Sequence, residues 1–129
     1  MKLAHRGITS AEPMVQLPMT AAVGYKVGQG LVITNGAAAL VGASAAPTHI
    51  CVCEAAGAAG GFVSAIELQR DMIFEAELSA AGTALTLGSK VTNDADSRRV
   101  TATTASGVAE IVGFPDGTKG IGDHVFIKY

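Results

Sequence analysis

The chain carries one short phrase twice, and that phrase confines it to short strands. Val23-Gly24-Tyr25-Lys26-Val27 and Leu87-Gly88-Ser89-Lys90-Val91 share Gly-x-Lys-Val, 64 residues apart. A second pair follows: Gly-x-x-Val runs from Gly60 to Val63 and again from Gly122 to Val125, 62 residues apart. Glycine turns a chain through left-handed backbone space without steric penalty. Short runs set off by such glycine turns read as strands of a small all-β body. The repetition predicts two half-modules, residues 23–68 and 84–129, each opened and closed by a glycine turn.

The runs between the turns have β character. Leu31-Val32-Ile33-Thr34 is rich in β-branched residues. It is followed by Asn35-Gly36, a strong two-residue hairpin signal because both positions accept positive φ. Ala37 to Val41 returns, and His49 to Cys53 and Phe62 to Leu68 read as further strands. In Met72–Leu78, the residues Met72, Phe74, Ala76 and Leu78 share one face, while Ile73, Glu75 and Glu77 share the other. That alternation marks a half-buried antiparallel strand. Ala, Glu, Leu and Gln across 64–81 favour a helix, but the period of two decides for a strand. Tyr25–Val27, Ala84–Leu87, Gly88–Thr92, Arg99–Thr103, Ala109–Val112 and His124–Tyr129 complete the set, with polar turns at Asn93–Ser97 and Pro115–Gly117. The predicted fold is all-β, a small barrel or sandwich of short antiparallel strands. Its last strand ties the end of the chain into the sheet.

Residues 1–22 have no such period. With Pro13 and Pro18 they read as an extended N-terminal arm outside the core, and 23–129 as a single β domain. The apolar Met14, Val15, Leu17 and Met19 are the residues by which such an arm would dock on another surface.

Composition bears on partners. Of the 129 residues 49% are hydrophobic, yet 23 are Ala and 16 Gly, and there is no Trp. Small side chains supply little apolar area, at about 25 cal/mol per Å² buried, so association is expected to supply the rest. A net charge of −2 gives no electrostatic footprint for nucleic acid, and no apolar run is long enough for a transmembrane helix. Met1–Gly7 has basic residues but no apolar stretch behind them, so no signal peptide is expected and assembly is placed in a cytoplasm.

Candidate chemistry is sparse. His49, Cys51 and Cys53 alternate along one strand and have ligand chemistry, but a zinc site needs tight tetrahedral convergence. Reduced core thiols explain the cysteines better. Asn93, Asp94 and Asp96 resemble the start of a calcium loop, but Arg98 and Arg99 follow where its glycine and distant glutamate are needed. Gly24 to Gly30 surrounds Lys26 with glycines without a P-loop pattern or a following helix. Glu54, Glu67, Glu75 and Glu77 could pair for acid–base work, yet nothing in the sequence places them beside a pocket. No catalytic residue, cofactor site or metal site is assigned, and no enzyme is expected.

The Gly-x-Lys-Val opening, the strand–turn–strand from Leu31 to Val41, and the ending Ala109–Phe114 followed by Gly120–Ile127 resemble tailed-bacteriophage capsid decoration proteins, also called cement or head-stabilising proteins. The similarity covers about residues 23–129 and leaves the arm unmatched. The resemblance implies a β-rich body on the exterior of an assembled capsid, often a homotrimer at three-fold positions. Its partner would be the major capsid protein, with no nucleic acid and no membrane. The alternative is a tail or fibre component, or a carbohydrate-binding β module of a virion. Few aromatic residues are present to stack on sugars.

Overall fold

In the computed structural model, residues 1–6, 14–20, 23–103 and 106–129 are described, with residues 5 and 6 as backbone only. They form eleven strands: β1 Lys2–Arg6, β2 Met14–Pro18, β3 Gly30–Thr34, β4 Ala37–Leu40, β5 His49–Cys51, β6 Phe62–Glu67, β7 Met72–Leu78, β8 Lys90–Asn93, β9 Arg99–Ala102, β10 Ala109–Gly113 and β11 His124–Lys128. The fold is all-β, a closed five-stranded barrel with a second five-stranded sheet.

The barrel runs β7-β11-β10-β8-β9 and closes where Glu77 and Leu78 of β7 pair in parallel with Arg99 and Val100 of β9. The alternation of β7 explains its central place. Met72, Phe74, Ala76 and Leu78 fill the interior beside Val91, Val100, Ile111, Val125 and Ile127, while Glu75 and Glu77 face outwards. Each large buried side chain contributes about 1.5–3 kcal/mol. A bulge between Ile111 and Gly113, opposite Phe126, bends the β10–β11 hairpin around the barrel.

The second sheet has the order β2-β6-β5-β3-β4. Asn35 (φ 52°) and Gly36 (φ 78°) form the tight turn between β3 and β4 that the dipeptide predicts. Leu17, Met19, Tyr25, Leu31, Ala38, Cys51, Val63 and Ala65 make its own core. Tyr25 is buried there, and its hydroxyl donates to the Ala38 carbonyl. On the other face, Ile50 and Ile66 pack into the barrel's core.

The turn between β8 and β9 bolts the two bodies together. Gly30 N–H donates to the Ser97 carbonyl at 2.8 Å, and Gln29 Nε2 donates to the Asp96 carbonyl at 3.0 Å. Asn93 Nδ2 donates to the Ala45 carbonyl at 3.0 Å. The Ser97 hydroxyl donates to the Val41 carbonyl, and the Tyr129 hydroxyl donates to Asn93 Oδ1 at 2.8 Å. Gln29, Asn93 and Ser97 are all buried, and these bonds satisfy them.

Three expectations need correction. First, the described parts of the N-terminal arm are sheet strands. β1 pairs with β7 from Lys2↔Glu75 to Arg6↔Met72, and β2 pairs with β6 from Met14↔Ile66 to Pro18↔Phe62. They cover edges that β6 and β7 would otherwise leave unpaired, an arrangement that protects those edges. Pro18 ends an outer strand, where its missing N–H costs nothing. Residues 7–13 and 21–22 of the expected arm lie outside the described residues. Second, Tyr25 makes only an isolated bridge to Ala55, and Ala84–Leu87 is turn, although each was expected to be a strand. The first repeated phrase therefore has unlike structures in its two copies, since Lys90-Val91 lies in β8. The second phrase has like structures. Gly60 and Gly122 both adopt positive φ two residues before a strand, and Val63 and Val125 are both fully buried. Third, β5 stops at Cys51, short of Cys53.

Candidate functional site

The β2–β6 ribbon carries exposed apolar side chains at its edge. Met14, Gln16 and Pro18 of β2 share a face with their partners Ile66, Ser64 and Phe62, the face on which Ile66 packs into the barrel's core. Met14 is 61% exposed and Phe62 58%. Between them Gln16 Nε2 donates to Ser64 Oγ at 2.8 Å. Leu17, at 6%, and Met19, at 7%, point the other way into the sheet's own core, with Val15 half-buried against it. Of the four residues expected to carry contacts, Met14 is exposed, Val15 half-buried, and Leu17 and Met19 buried. The strand's alternation explains the split, because neighbours in a strand face opposite sides. Phe62 is an exposed apolar residue on this ribbon that sequence reasoning did not single out. The available signal was its place at a strand start beside Gly60-Gly61, but exposure depends on which strand pairs with it.

More apolar exposure occurs at the barrel's turns. Leu87 precedes the Gly88 turn and Ile121 lies in the turn before β11, and both are well exposed. Lys119 ties these regions together: its ammonium donates to the Leu85 carbonyl and stands 4.6 Å above the Phe114 ring.

A cavity of about 340 Å³ opens on the barrel's outer wall, lined by Met1, Lys2, Val27, Glu75, Glu77, Arg98, Arg99 and His124. Sheet register builds it. Glu77 of β7 stands between Arg99 of β9 and His124 of β11, and Glu75 stands opposite Lys2 of β1. Lys2 Nζ lies 2.9 Å from Glu75 Oε1. His124 Nε2 lies 4.0 Å from a carboxylate oxygen of both Glu75 and Glu77. Its Nδ1 is 2.8 Å from Asp116, which also accepts the His124 backbone N–H at 2.7 Å. The Asp116 hydrogen bond holds the imidazole above its ordinary pKa, and the neighbouring carboxylates add to this. The His124 N–H and ring in turn hold Asp116 below the usual carboxylate range. Tertiary structure thus puts Glu75 and Glu77 beside a cavity, which the sequence alone did not indicate.

The remaining sequence candidates do not converge. Cys51 is buried and donates from its thiol to the Cys53 carbonyl, while Cys53 is exposed and His49 pairs with Thr48 Oγ1. Asp94 is held by Arg99 at 2.9 Å and Asp96 accepts the Arg98 N–H at 3.0 Å, so this chain's own groups occupy both carboxylates. In the glycine-rich stretch, Gly28 N–H donates to Cys51 and Gly30 N–H to Ser97. Among the described residues, no group of three or more His, Cys, Asp or Glu side chains is arranged to hold a metal ion.

Barrel and sheet together define an all-β body with exposed apolar residues along the β2–β6 ribbon. Compared with known proteins, the chain matches no family model and no curated protein.

Proposed function

We propose that this chain is a structural, non-catalytic protein of a virus particle, a decoration protein that binds the exterior of an assembled capsid as a trimer and stabilises the shell. The observation that carries this reading is the edge of the β2–β6 ribbon, where Met14, Pro18 and Phe62 offer exposed apolar surface to a partner. The resemblance of residues 23–129 to capsid decoration proteins supports it independently. A body that binds only the finished lattice stabilises that lattice by mass action, and many weak sites on one particle act together by avidity.

The test is the copy number of this chain relative to the major shell protein in particles purified from producing cells. A ratio near one, or a fixed simple fraction of it, is the expected result. A few copies per particle would mean a tail or fibre part, and none would overturn the virion reading. Phe62→Glu and Met14→Glu should lower occupancy while leaving the melting temperature of the free protein unchanged.

A further inference from the structure

We propose that His124 is a pH-operated latch that fastens the 114–123 turn to the barrel strand β7. This inference stands apart from the virion reading, because it rests on the barrel alone.

The imidazole is a titratable group that reaches both parts. Through Nδ1 it reaches Asp116, in the turn between β10 and β11. Through Nε2 it faces Glu75 and Glu77 on β7, each at 4.0 Å. The other charges around it have partners. Lys2 of β1 neutralises Glu75 at 2.9 Å, and Arg99 of β9, opposite Glu77 in register, holds Asp94 at 2.9 Å. Arg98, in the same cavity, lies 3.4 Å from Asp96, and the Met1 ammonium donates to the Gly28 carbonyl. On its own strand Lys128 sits opposite Glu110, and the adjacent Asp123 carboxylate accepts the Gly120 N–H.

When charged, the imidazolium donates from both nitrogens and draws Asp116, Glu75 and Glu77 together. When neutral, it keeps one ordinary hydrogen bond to Asp116 and turns an unprotonated nitrogen towards two carboxylates. The tie to β7 is then lost and the tie to the turn is weaker. The sign follows from the raised folded-state pKa. The stabilisation is fully present below about 6.5, the ordinary histidine value, and is lost as pH rises through the higher folded value.

Backbone bonds that do not titrate limit what opens. Gly122 N–H to Leu78, Leu78 N–H to Asp123 and Gly82 N–H to Lys119 hold the rest of the turn. The part that loosens is Pro115–Thr118, which Asp116 ties to His124.

The test is an NMR titration of the full chain from pH 5.5 to 9, following the His124 ring and the exchange of the His124 amide, which Asp116 accepts. His124→Gln assigns the ring signal among the three histidines. The expected result is a His124 midpoint above the ordinary histidine value of 6.5, falling in Asp116→Asn and in Glu77→Gln. After correction for intrinsic base catalysis, the His124 amide should exchange about threefold faster above the midpoint than below it, the ratio expected of an exposed ion pair. A midpoint at or below 6.5, or protection that stays constant through the titration, would overturn the latch. Constant protection of the His124 amide in the wild-type chain overturns the latch without recourse to any variant.

Discussion

Replacing Leu17 by Ala tests whether the N-terminal segment belongs to the core. Leu17 is 6% exposed and packs among Met19, Tyr25, Leu31, Ala38, Cys51, Val63 and Ala65. Several of these neighbours are small and rigidly paired in the sheet, so they cannot swell into the space left behind. Leu→Ala at such a site costs about 2–5 kcal/mol, of which about 3 is a reasonable centre. Unfolding entropy of about 2.1 cal/mol/K per residue gives this chain of 129 residues about 0.27 kcal/mol/K. A loss of about 3 kcal/mol therefore lowers Tm by about 11 °C. Met14→Ala, on the same strand but facing outwards, should stay within about 0.5 kcal/mol of the parent. Urea unfolding followed by circular dichroism reads both, with the midpoint falling for Leu17→Ala and the m-value unchanged. If the two variants are equally stable, β2 is not part of the folded core and the arm is a tail after all.

Two further outcomes follow from buried groups. Ser97 is fully buried with φ 59° and donates to the Val41 carbonyl, so Ser97→Ala should cost about 1–3 kcal/mol by thermal melting. Ser97→Gly should cost about 1 kcal/mol less than the alanine, because glycine accepts that φ freely, and a harmless Ser97→Ala would refute the bolt between barrel and sheet. Because Cys51 is buried and Cys53 exposed, a thiol reagent should titrate one group in the native protein and two after unfolding. Rapid reaction of both in the native state would show that the sheet's core is open.

Much of the local structure was legible in the residues themselves. The period of two in Met72–Leu78 assigned both faces of β7, with its apolar side inside and its glutamates outside. Asn35-Gly36 and the glycines at 60 and 122 marked turns where only a positive φ fits. These signals depend on a few consecutive residues, and steric limits on one backbone are enough to read them. Tertiary structure decided what depends on distant partners. The aperiodic stretch Met14–Pro18 became a strand because β6 presents an edge nearly fifty residues away in the chain, Gln16 pairing with Ser64. Tyr25–Val27 and Ala84–Leu87 had strand-like residues but found no neighbouring edge to extend along, and a strand exists only where another backbone takes up its hydrogen bonds. The same holds for the site. His49, Cys51 and Cys53 looked adjacent but part where β5 ends, whereas Lys2, Glu75, Glu77, Arg99 and His124, scattered through the sequence, meet on one wall. Alternation and turn chemistry are properties of a segment, while pairing, exposure and charge clustering are properties of the closed barrel.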